Sequence, residues 1–102
     1  MKNLTLIVHA NIQQALADVL RGMPQVQGFT ITQVEGHGAQ NNHDRLLAAR
    51  DQVVGYVSRI RVQVMLENAA VAEVLDALRA SDCGVTGRGV YWITEVEEFG
   101  RL

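Results

Sequence analysis

The residues best suited to bind a ligand lie in a short glycine-rich stretch near the C-terminus. Gly84, Gly87 and Gly89 fall within six residues, and Arg88 stands between the last two. Glycine lacks a Cβ, so its amide can face a ligand at dihedral angles that other residues avoid, and successive amides can form an anion-binding concavity. Arg88 adds a permanent, forked positive charge. This glycine loop (residues 84–89) is either an anion site or a segment whose glycines only turn the chain.

Two histidines offer a second kind of chemistry. His37 and His43 lie on a polar stretch, and imidazole is a common ligand of zinc, copper and nickel. Asp44 could add a carboxylate, which would make a divalent metal site. The spacing of the two histidines matches no strong metal motif, so a solvated loop is the alternative interpretation. The third histidine, His9, follows an apolar run, which favours a core or interface role over metal binding.

Catalytic motifs are missing from the sequence. No serine or cysteine is accompanied by a histidine in a known local pattern, and no paired acid motif occurs. Cys83 is the single cysteine, so it forms neither an internal disulfide nor a thiolate metal site. We therefore predict that the protein is not an enzyme.

The composition indicates one small domain. The chain has 102 residues, of which 48% are hydrophobic, and a formal net charge of -2. Its 9 lysines and arginines are scattered, without a run that would follow a phosphate backbone, so we expect no nucleic-acid partner. The first apolar stretch is too short to span a membrane and has no signal-peptide cleavage pattern. These features predict a single cytoplasmic domain over residues 1–102.

Hydrophobic periodicity predicts which elements position these residues. Apolar and β-branched runs predict four strands, and repeats of apolar residues at three- and four-residue steps predict two helices. Asn11 and Asn68 stand where helix N-caps are expected, and Pro24 stands where the first helix is expected to stop. The predicted elements are a strand at 4–9, a helix at 12–23, strands at 28–34 and 60–66, a helix that follows Asn68 and includes 71–78, and a strand at 90–96.

The order of these elements is that of the ferredoxin-like α+β fold, βαββαβ. It predicts four antiparallel strands with both helices on one face. The opposite face would carry Thr5 or Leu6 and some of Tyr91, Trp92 and Ile93. This face has too few charged residues for a surface exposed to water, so we expect an oligomer in which it is covered. Unrelated small enzymes share this fold, so a monooxygenase with an apolar pocket between sheet and helices is the enzymatic alternative.

Strands two and three are joined by a long polar connection at about residues 37–58. Connections in small domains are usually shorter, and long loops are frequently functional. A short acidic tail, residues 97–102, follows the last strand.

Along nearly its whole length the chain resembles the nitrogen-regulatory PII signalling superfamily. The second predicted strand leads into Gly36, Gly38 and Gln40, which resemble the family's G-x-G-x-Q pattern. The glycine loop resembles the PII B-loop, G-x-x-G-D-G-K, and the long connection resembles the PII T-loop, with His43 near its start. Arg101 falls where the family keeps basic C-terminal residues.

The resemblance implies a PII-like homotrimer with a nucleotide pocket in each cleft between subunits. The small-molecule effector would be an adenine nucleotide such as ATP, ADP, AMP or cyclic AMP, and the T-loop would contact a target protein such as a membrane transporter or an enzyme. Carried over to this sequence, the nucleotide-binding residues are Ile7, Gly36, Gly38, Gln40, Val64, Gly84, Gly87, Arg88, Gly89 and Arg101. The partner-binding residues of the loop are Asn42, His43, Arg45 and Arg50.

Several positions depart from the PII pattern. Arg88 stands in place of an acidic residue, and Val90 stands in place of a lysine that contributes a phosphate-binding charge. Ala39 replaces a basic residue, and Gln52 replaces the tyrosine that some members uridylylate. Arg88 could take over phosphate binding, because a guanidinium binds phosphate through two N–H groups. The chain is thus similar to divergent PII-like proteins of the DUF3240 type, which accompany heavy-metal efflux systems.

Two hypotheses of function follow from this resemblance. The first is a trimeric signalling protein that senses an adenine nucleotide and regulates a transporter of the metal-efflux type. The second is a metal-binding or metal-responsive accessory protein of a heavy-metal resistance system, which would use His37 and His43.

Overall fold

The computed structural model describes residues 1–37 and 57–102. Four strands form one antiparallel sheet in the order β2-β3-β1-β4, with two helices between them along the chain. This arrangement confirms the predicted ferredoxin-like fold. None of the helices in these ranges is long and apolar enough to cross a membrane. The elements are β1 (Lys2–His9), a 3₁₀ turn (Ala10–Ile12), α1 (Gln13–Arg21), β2 (Phe29–Gly36), β3 (Val57–Leu66), α2 (Ala70–Ala80) and β4 (Val90–Glu95).

The core lies between the sheet and the two helices. Successive side chains of a strand point to opposite faces, and the apolar set of each central strand points to the helices. Leu4 pairs with Val64 and Leu6 with Val62, and all four side chains are buried. Each helix buries one stripe against them, because residues three and four apart share a helix face. The helix residues of this core are Leu16, Leu20, Val71, Val74 and Leu78.

The other face of the sheet, which we call the open face, points away from the helices. Paired residues of neighbouring strands share a face, so the register assigns each side chain. Trp92 lies on the open face beside Thr5, whereas Tyr91 and Ile93 belong to the helix face. The residues of the open face are Asn3, Thr5, Ile7, His9, Thr30, Thr32, Val34, Gly36, Val57, Arg59, Arg61, Gln63, Met65, Val90, Trp92 and Thr94.

Both predicted N-caps are wrong. The Asn11 amide donates to His9 Nδ1 at 3.2 Å, so His9 caps a 3₁₀ turn that precedes α1. Asn68 Oδ1 accepts a hydrogen bond from the N-terminal ammonium of Met1 at 2.8 Å, and α2 follows Ala69 without a side-chain cap. The antiparallel pairing of β1 with β3 places the N-terminus beside the end of β3, which explains this long-range partner.

The long connection is shorter than the predicted residues 37–58, because β3 already begins at Val57. β2 extends to Gly36, so the ladder continues with Glu35 opposite Ser58 and Gly36 opposite Val57. Some residues for which the sequence suggested a role lie outside the described residues: Gly38, Ala39, Gln40, Asn42, His43, Asp44, Arg45, Arg50 and Gln52.

Candidate ligand-binding site

The antiparallel pairing gathers several predicted site residues at one end of the sheet. β1 and β2 end there, and β3 and β4 begin there. His9 lies opposite Arg59, and Ile7 lies opposite Val90 at the start of β4. The glycine loop immediately precedes β4, so it reaches the same end, which also contains Gly36 at the end of β2. We call this the loop end of the sheet.

The glycine loop has a backbone that requires glycine. Gly84 has φ 99° and Gly87 has φ 72°, which is the left-handed region. The Arg88 amide donates to the Val85 carbonyl at 3.2 Å and closes a turn with Gly87 at its third position, as in a type II turn. A Cβ on Gly84 would also lie 3.0 Å from Ile12 Cγ2. Within the described residues the amides of Gly84 and Gly87 donate to no protein acceptor, so the loop both turns the chain and offers two N–H groups.

The end of the loop that leads into β4 is packed tightly against β1. A Cβ on Gly89 would lie 2.8 Å from Val8 Cγ1 and 2.9 Å from the Ile7 carbonyl oxygen, closer than real Cβ contacts allow. By contrast, no atom lies within 4 Å of the same position on Gly87. The loop is therefore fixed beside Ile7 and open in its middle, where the Arg88 side chain is exposed.

At the end of β2, Gly36 makes room for an arginine. A Cβ at this position would lie 2.6 Å from Arg59 Nε, 2.7 Å from its Cδ and 2.9 Å from its Cγ. The Arg59 side chain therefore crosses directly over Gly36. Arg59 and Arg61 were not among the residues predicted for the site. The alternation of apolar and polar residues along β3 could have identified them, because it places both arginines on the open face.

Two buried N–H groups at the loop end have no hydrogen-bond acceptor among the described residues. They are His9 Nε2 and Arg61 Nε. Because His9 Nδ1 accepts from the Asn11 amide, the proton of the neutral ring is on Nε2, which makes this atom a donor. A buried donor without a partner costs about 1–3 kcal/mol. An oxygen atom of a ligand or of another protein chain at this position would relieve that cost.

The charge at the loop end has one sign on the open face. Arg59 and Arg61 both belong to that face, whereas the carboxylates of the strands, Glu35 and Glu95, lie on the helix face. Among the described strand residues, no acidic side chain lies on the open face. A patch of one sign raises the local concentration of ligands of the opposite charge. Arg59 and Arg61 make the described part of this face basic.

Val64 lies in β3, one residue away from the open face. Its side chain is 0% exposed and packs in the core, where Val64 lies opposite Leu4. Ile7 lies on the open face, which it shares with Gln63 and Met65. Within one copy of the chain, the side chains of Ile7 and Val64 therefore point to opposite faces of the sheet, and a role of Val64 in ligand binding stays a prediction.

Arg101 belongs to the C-terminal tail, which begins at the end of the sheet opposite the loop end. β4 ends at Glu95, which lies opposite Lys2 and forms an ion pair with it. The Val96 amide then donates to the Met1 carbonyl at 3.2 Å, and residues 97–102 are exposed. A six-residue strand spans about 20 Å. The contacts of the described residues therefore do not bring Arg101 to the glycine loop within one copy of the chain.

The predicted metal ligands are only partly described. His37 Nε2 lies 3.2 Å from Glu35 Oε2, and both side chains are exposed. His43 lies outside the described residues. Within residues 1–37 and 57–102, no group of three or more histidine, cysteine, aspartate or glutamate side chains is arranged to hold a metal ion.

An antiparallel βαββαβ sheet with a glycine loop at one end is the arrangement that the resemblance to PII-like proteins predicts. A protein-family model matches residues 1–102 and is described as "Protein of unknown function (DUF3240)". The chain belongs to this DUF3240 family.

Similar proteins agree with that assignment. The nitrogen regulatory protein P-II of Rhizobium meliloti (strain 1021) is 30% identical over 89% of this chain and 78% of its own length. That of Rhizobium leguminosarum bv. viciae is 32% identical over 76% and 70%, and the nitrogen regulatory protein GlnK of Escherichia coli (strain K12) is 25% identical over 100% and 91%. The crystal structure of a DUF3240 family protein from Shewanella baltica OS155 has the same fold, with a TM-score of 0.77, 22% identity and coverage of 99% and 94%. The chain is a divergent PII-like protein.

Proposed function

We propose that this protein is a PII-like regulatory protein that binds an adenine nucleotide at the loop end of the sheet. The observation that carries the proposal is the set of N–H groups there. The buried donors His9 Nε2 and Arg61 Nε lack an acceptor among the described residues, and the free amides of Gly84 and Gly87 belong to the adjacent loop. Phosphate oxygens would satisfy such donors, and the exposed Arg88 guanidinium would add a charged contact.

The base of the nucleotide would contact the open face. Ile7 lies between Arg61 on β3 and Val90 on β4. An apolar side chain on which the base could lie is therefore placed between Arg61 and the start of β4. Met65 shares this face and is half-buried. Binding sites for small molecules usually combine such apolar surface with a few convergent polar groups.

We propose that the protein is a homotrimer in which the open faces are covered by neighbouring copies. Val90 is 60% exposed and Trp92 is 46% exposed, and contiguous exposed apolar surface commonly marks an interface. A neighbouring copy would also be the source of Arg101, which no described contact brings to the loop within one copy. Native mass spectrometry should give the mass of three copies of the 11.2 kDa chain. A monomer at micromolar concentration would contradict the shared-cleft proposal.

We propose that residues 38–56, between β2 and β3, bind the regulated target. The printed names of the relatives, nitrogen regulatory proteins, support a regulatory role for the chain. The proposed class of target is a membrane transporter of the metal-efflux type, contacted by Asn42, His43, Arg45 and Arg50. Cross-linking to detergent-solubilised membranes, followed by mass spectrometry, should identify such a transporter. An Arg45→Ala, Arg50→Ala double variant should lose the cross-link, and unchanged cross-linking would exclude these two arginines.

Calorimetric titration with ATP, ADP, AMP and cyclic AMP tests the ligand. At least one of them should bind with a dissociation constant in the micromolar range. Arg88→Ala should weaken that ligand about tenfold, because hydrogen bonds to charged groups contribute more than neutral ones. Arg21→Ala, an equal loss of charge on α1, is the control and should bind like the wild type. Failure of all four nucleotides to bind would exclude the nucleotide function.

The metal-binding role is a second proposal, supported by the contact of His37 with Glu35. An imidazole and a carboxylate are two of the ligands that a zinc site requires. Titration with zinc, copper and nickel should then show weaker binding by a His37→Ala, His43→Ala double variant. Equal affinities of variant and wild type would exclude the histidines as ligands.

A further inference from the structure

Arg79, in the last turn of α2, contacts both sides of the segment that carries Arg88. Its backbone carbonyl accepts a hydrogen bond from Thr86 Oγ1 at 3.1 Å. Its Nη2 donates to Tyr91 Oη at 3.3 Å, and its Cζ lies 5.4 Å from the centroid of the Tyr91 ring. We propose that Arg79 is a positioning residue, which fixes Thr86 and Tyr91 and thereby holds the arch of residues 87–90 in the shape that receives an anion.

The end of α2 is suited to anchor this loop. The last four carbonyl groups of an α-helix have no partner within the helix. The Leu78 carbonyl accepts from the Ser81 hydroxyl at 2.7 Å, and the next carbonyl, that of Arg79, accepts from Thr86. A hydroxyl of the loop therefore satisfies an acceptor that the helix would otherwise leave to water, and it ties the loop to a rigid element.

The arch between these anchors needs to be held. It contains Gly87, where no atom lies within 4 Å of the position that a Cβ would occupy, and glycine loses more conformational freedom on ordering than any other residue. A ligand that had to order the arch itself would bind more weakly, and a loop already fixed in shape avoids that cost. The two contacts of Arg79 lie just before and just after the arch, so together they restrict Arg88.

The expected size of the effect is modest, because both contacts are exposed to solvent. The Arg79 side chain is 52% exposed, and its Nη1 lies 4.0 Å from Asp76 Oδ1. Single hydrogen bonds of this kind change an equilibrium by about three- to tenfold. The effect on ligand affinity rests on the proposed nucleotide function, whereas the effect on the loop itself does not.

α1 supplies a matched control for Arg79. Arg21 also lies in the last turn of its helix, 3.3 Å from an aspartate three residues earlier, and its Cζ lies 5.9 Å from the centroid of the Phe29 ring. Phe29 lacks the hydroxyl that Tyr91 offers. Arg21→Gln and Arg79→Gln therefore remove the same charge and a similar ring contact, but only the second removes a contact to the strand that follows the glycine loop.

The experiment combines ATP titration with amide hydrogen exchange of the protein without nucleotide. Arg79→Gln and Thr86→Val should each raise the dissociation constant of ATP about three- to tenfold, and should speed exchange of the Arg88 amide, which donates to the Val85 carbonyl, by a similar factor. Thr86→Ser, which keeps the hydroxyl, should restore both values to within about twofold of the wild type. Arg21→Gln should leave both unchanged.

The outcomes separate the two proposals. Unchanged exchange of the Arg88 amide in Arg79→Gln and Thr86→Val would overturn the positioning role, whether or not ATP binds. Equal effects of Arg21→Gln and Arg79→Gln would also overturn it, because they would indicate a general effect of charge. Faster exchange of that amide in Arg79→Gln and Thr86→Val, with none of ATP, ADP, AMP and cyclic AMP bound even by the wild type, would support the positioning role and exclude the nucleotide function.

Discussion

In the two halves of this protein, β1-α1-β2 and β3-α2-β4, the same kind of contact joins the helix to the strand that follows it. In each half an arginine in the last turn of the helix lies over an aromatic ring of the strand. Arg21 lies over Phe29 at 5.9 Å, and Arg79 lies over Tyr91 at 5.4 Å. Both helices also bury one leucine- or valine-rich stripe against the same sheet. As scaffolds, the halves are equivalent.

The connections between helix and strand differ. In the first half, Gly22 has an ordinary φ of -79° and its amide donates to carbonyls of α1, while Met23 is buried in the core. In the second half, Gly84 and Gly87 have positive φ, and their amides donate to no acceptor within the described residues. The first connection closes the core, whereas the second leaves two backbone N–H groups without an acceptor among the described residues. Under the proposed function, it is therefore the connection, and not the scaffold, that distinguishes the half that binds the ligand.

The largest expected effect tests whether the scaffolds are equivalent. Leu20→Ala in α1 and Leu78→Ala in α2 each remove a buried side chain from the core. Each should lower the free energy of unfolding by about 2–5 kcal/mol, because the variant loses apolar burial and leaves a cavity. Denaturant unfolding monitored by circular dichroism measures both. A large cost in one half and almost none in the other would show that the halves are not equivalent.

A smaller effect on stability should distinguish the two connections between helix and strand. Gly28 and Gly87 both have open space around the Cβ position, but only Gly87 has a positive φ. Gly87→Ala should lower the free energy of unfolding by about 1–2 kcal/mol, the cost of a left-handed conformation. Gly28→Ala should be neutral or stabilise by about 0.4–1 kcal/mol, because alanine restricts the unfolded chain. Equal effects in thermal unfolding would show that the left-handed turn imposes no special requirement.

The smallest expected effect on stability concerns the ion pair between Glu95 of β4 and Lys2 of β1. The hydrogen bond and the positive charge of Lys2 hold the pKa of Glu95 below its ordinary value of 4.5. A lowered pKa means that the pair stabilises the folded protein above the ordinary pKa, and that this contribution is lost as the pH falls through the folded-state value. Glu95→Gln should therefore be less stable than the wild type near neutral pH and equal to it in acid. Melting temperatures of both proteins across that range check the prediction, with Glu98→Gln on the exposed tail as the control. A difference that persists in acid would contradict it.

Periodicity in the sequence was sufficient to predict the fold. Strict alternation from Ile60 to Leu66 and the two helical stripes determine which faces meet, and the structure confirms that sheet. The glycines of the loop were also informative, because positive φ at Gly84 and Gly87 is a local property of the chain. These features depend on neighbours in sequence, which is why the sequence reveals them.

Features that depend on contacts between distant residues were not predicted. Asn68 looks like a helix cap but binds the N-terminal ammonium, and the passage of Arg59 over Gly36 requires β2 and β3 to pair. The hydrogen bond between Thr86 and the Arg79 carbonyl joins a loop to the end of a helix, and no sequence pattern predicts it.

The most direct test is to map ATP binding onto backbone amides by NMR. The protein without nucleotide and with saturating ATP would be compared residue by residue. We predict shifts at residues 84–89, with further shifts at Ile7, His9 and Arg61, and no shifts at residues 22–28 of the other connection. Shifts confined to residues 22–28, or none at residues 84–89 at saturating ATP, would contradict the assignment of the glycine loop as the binding site.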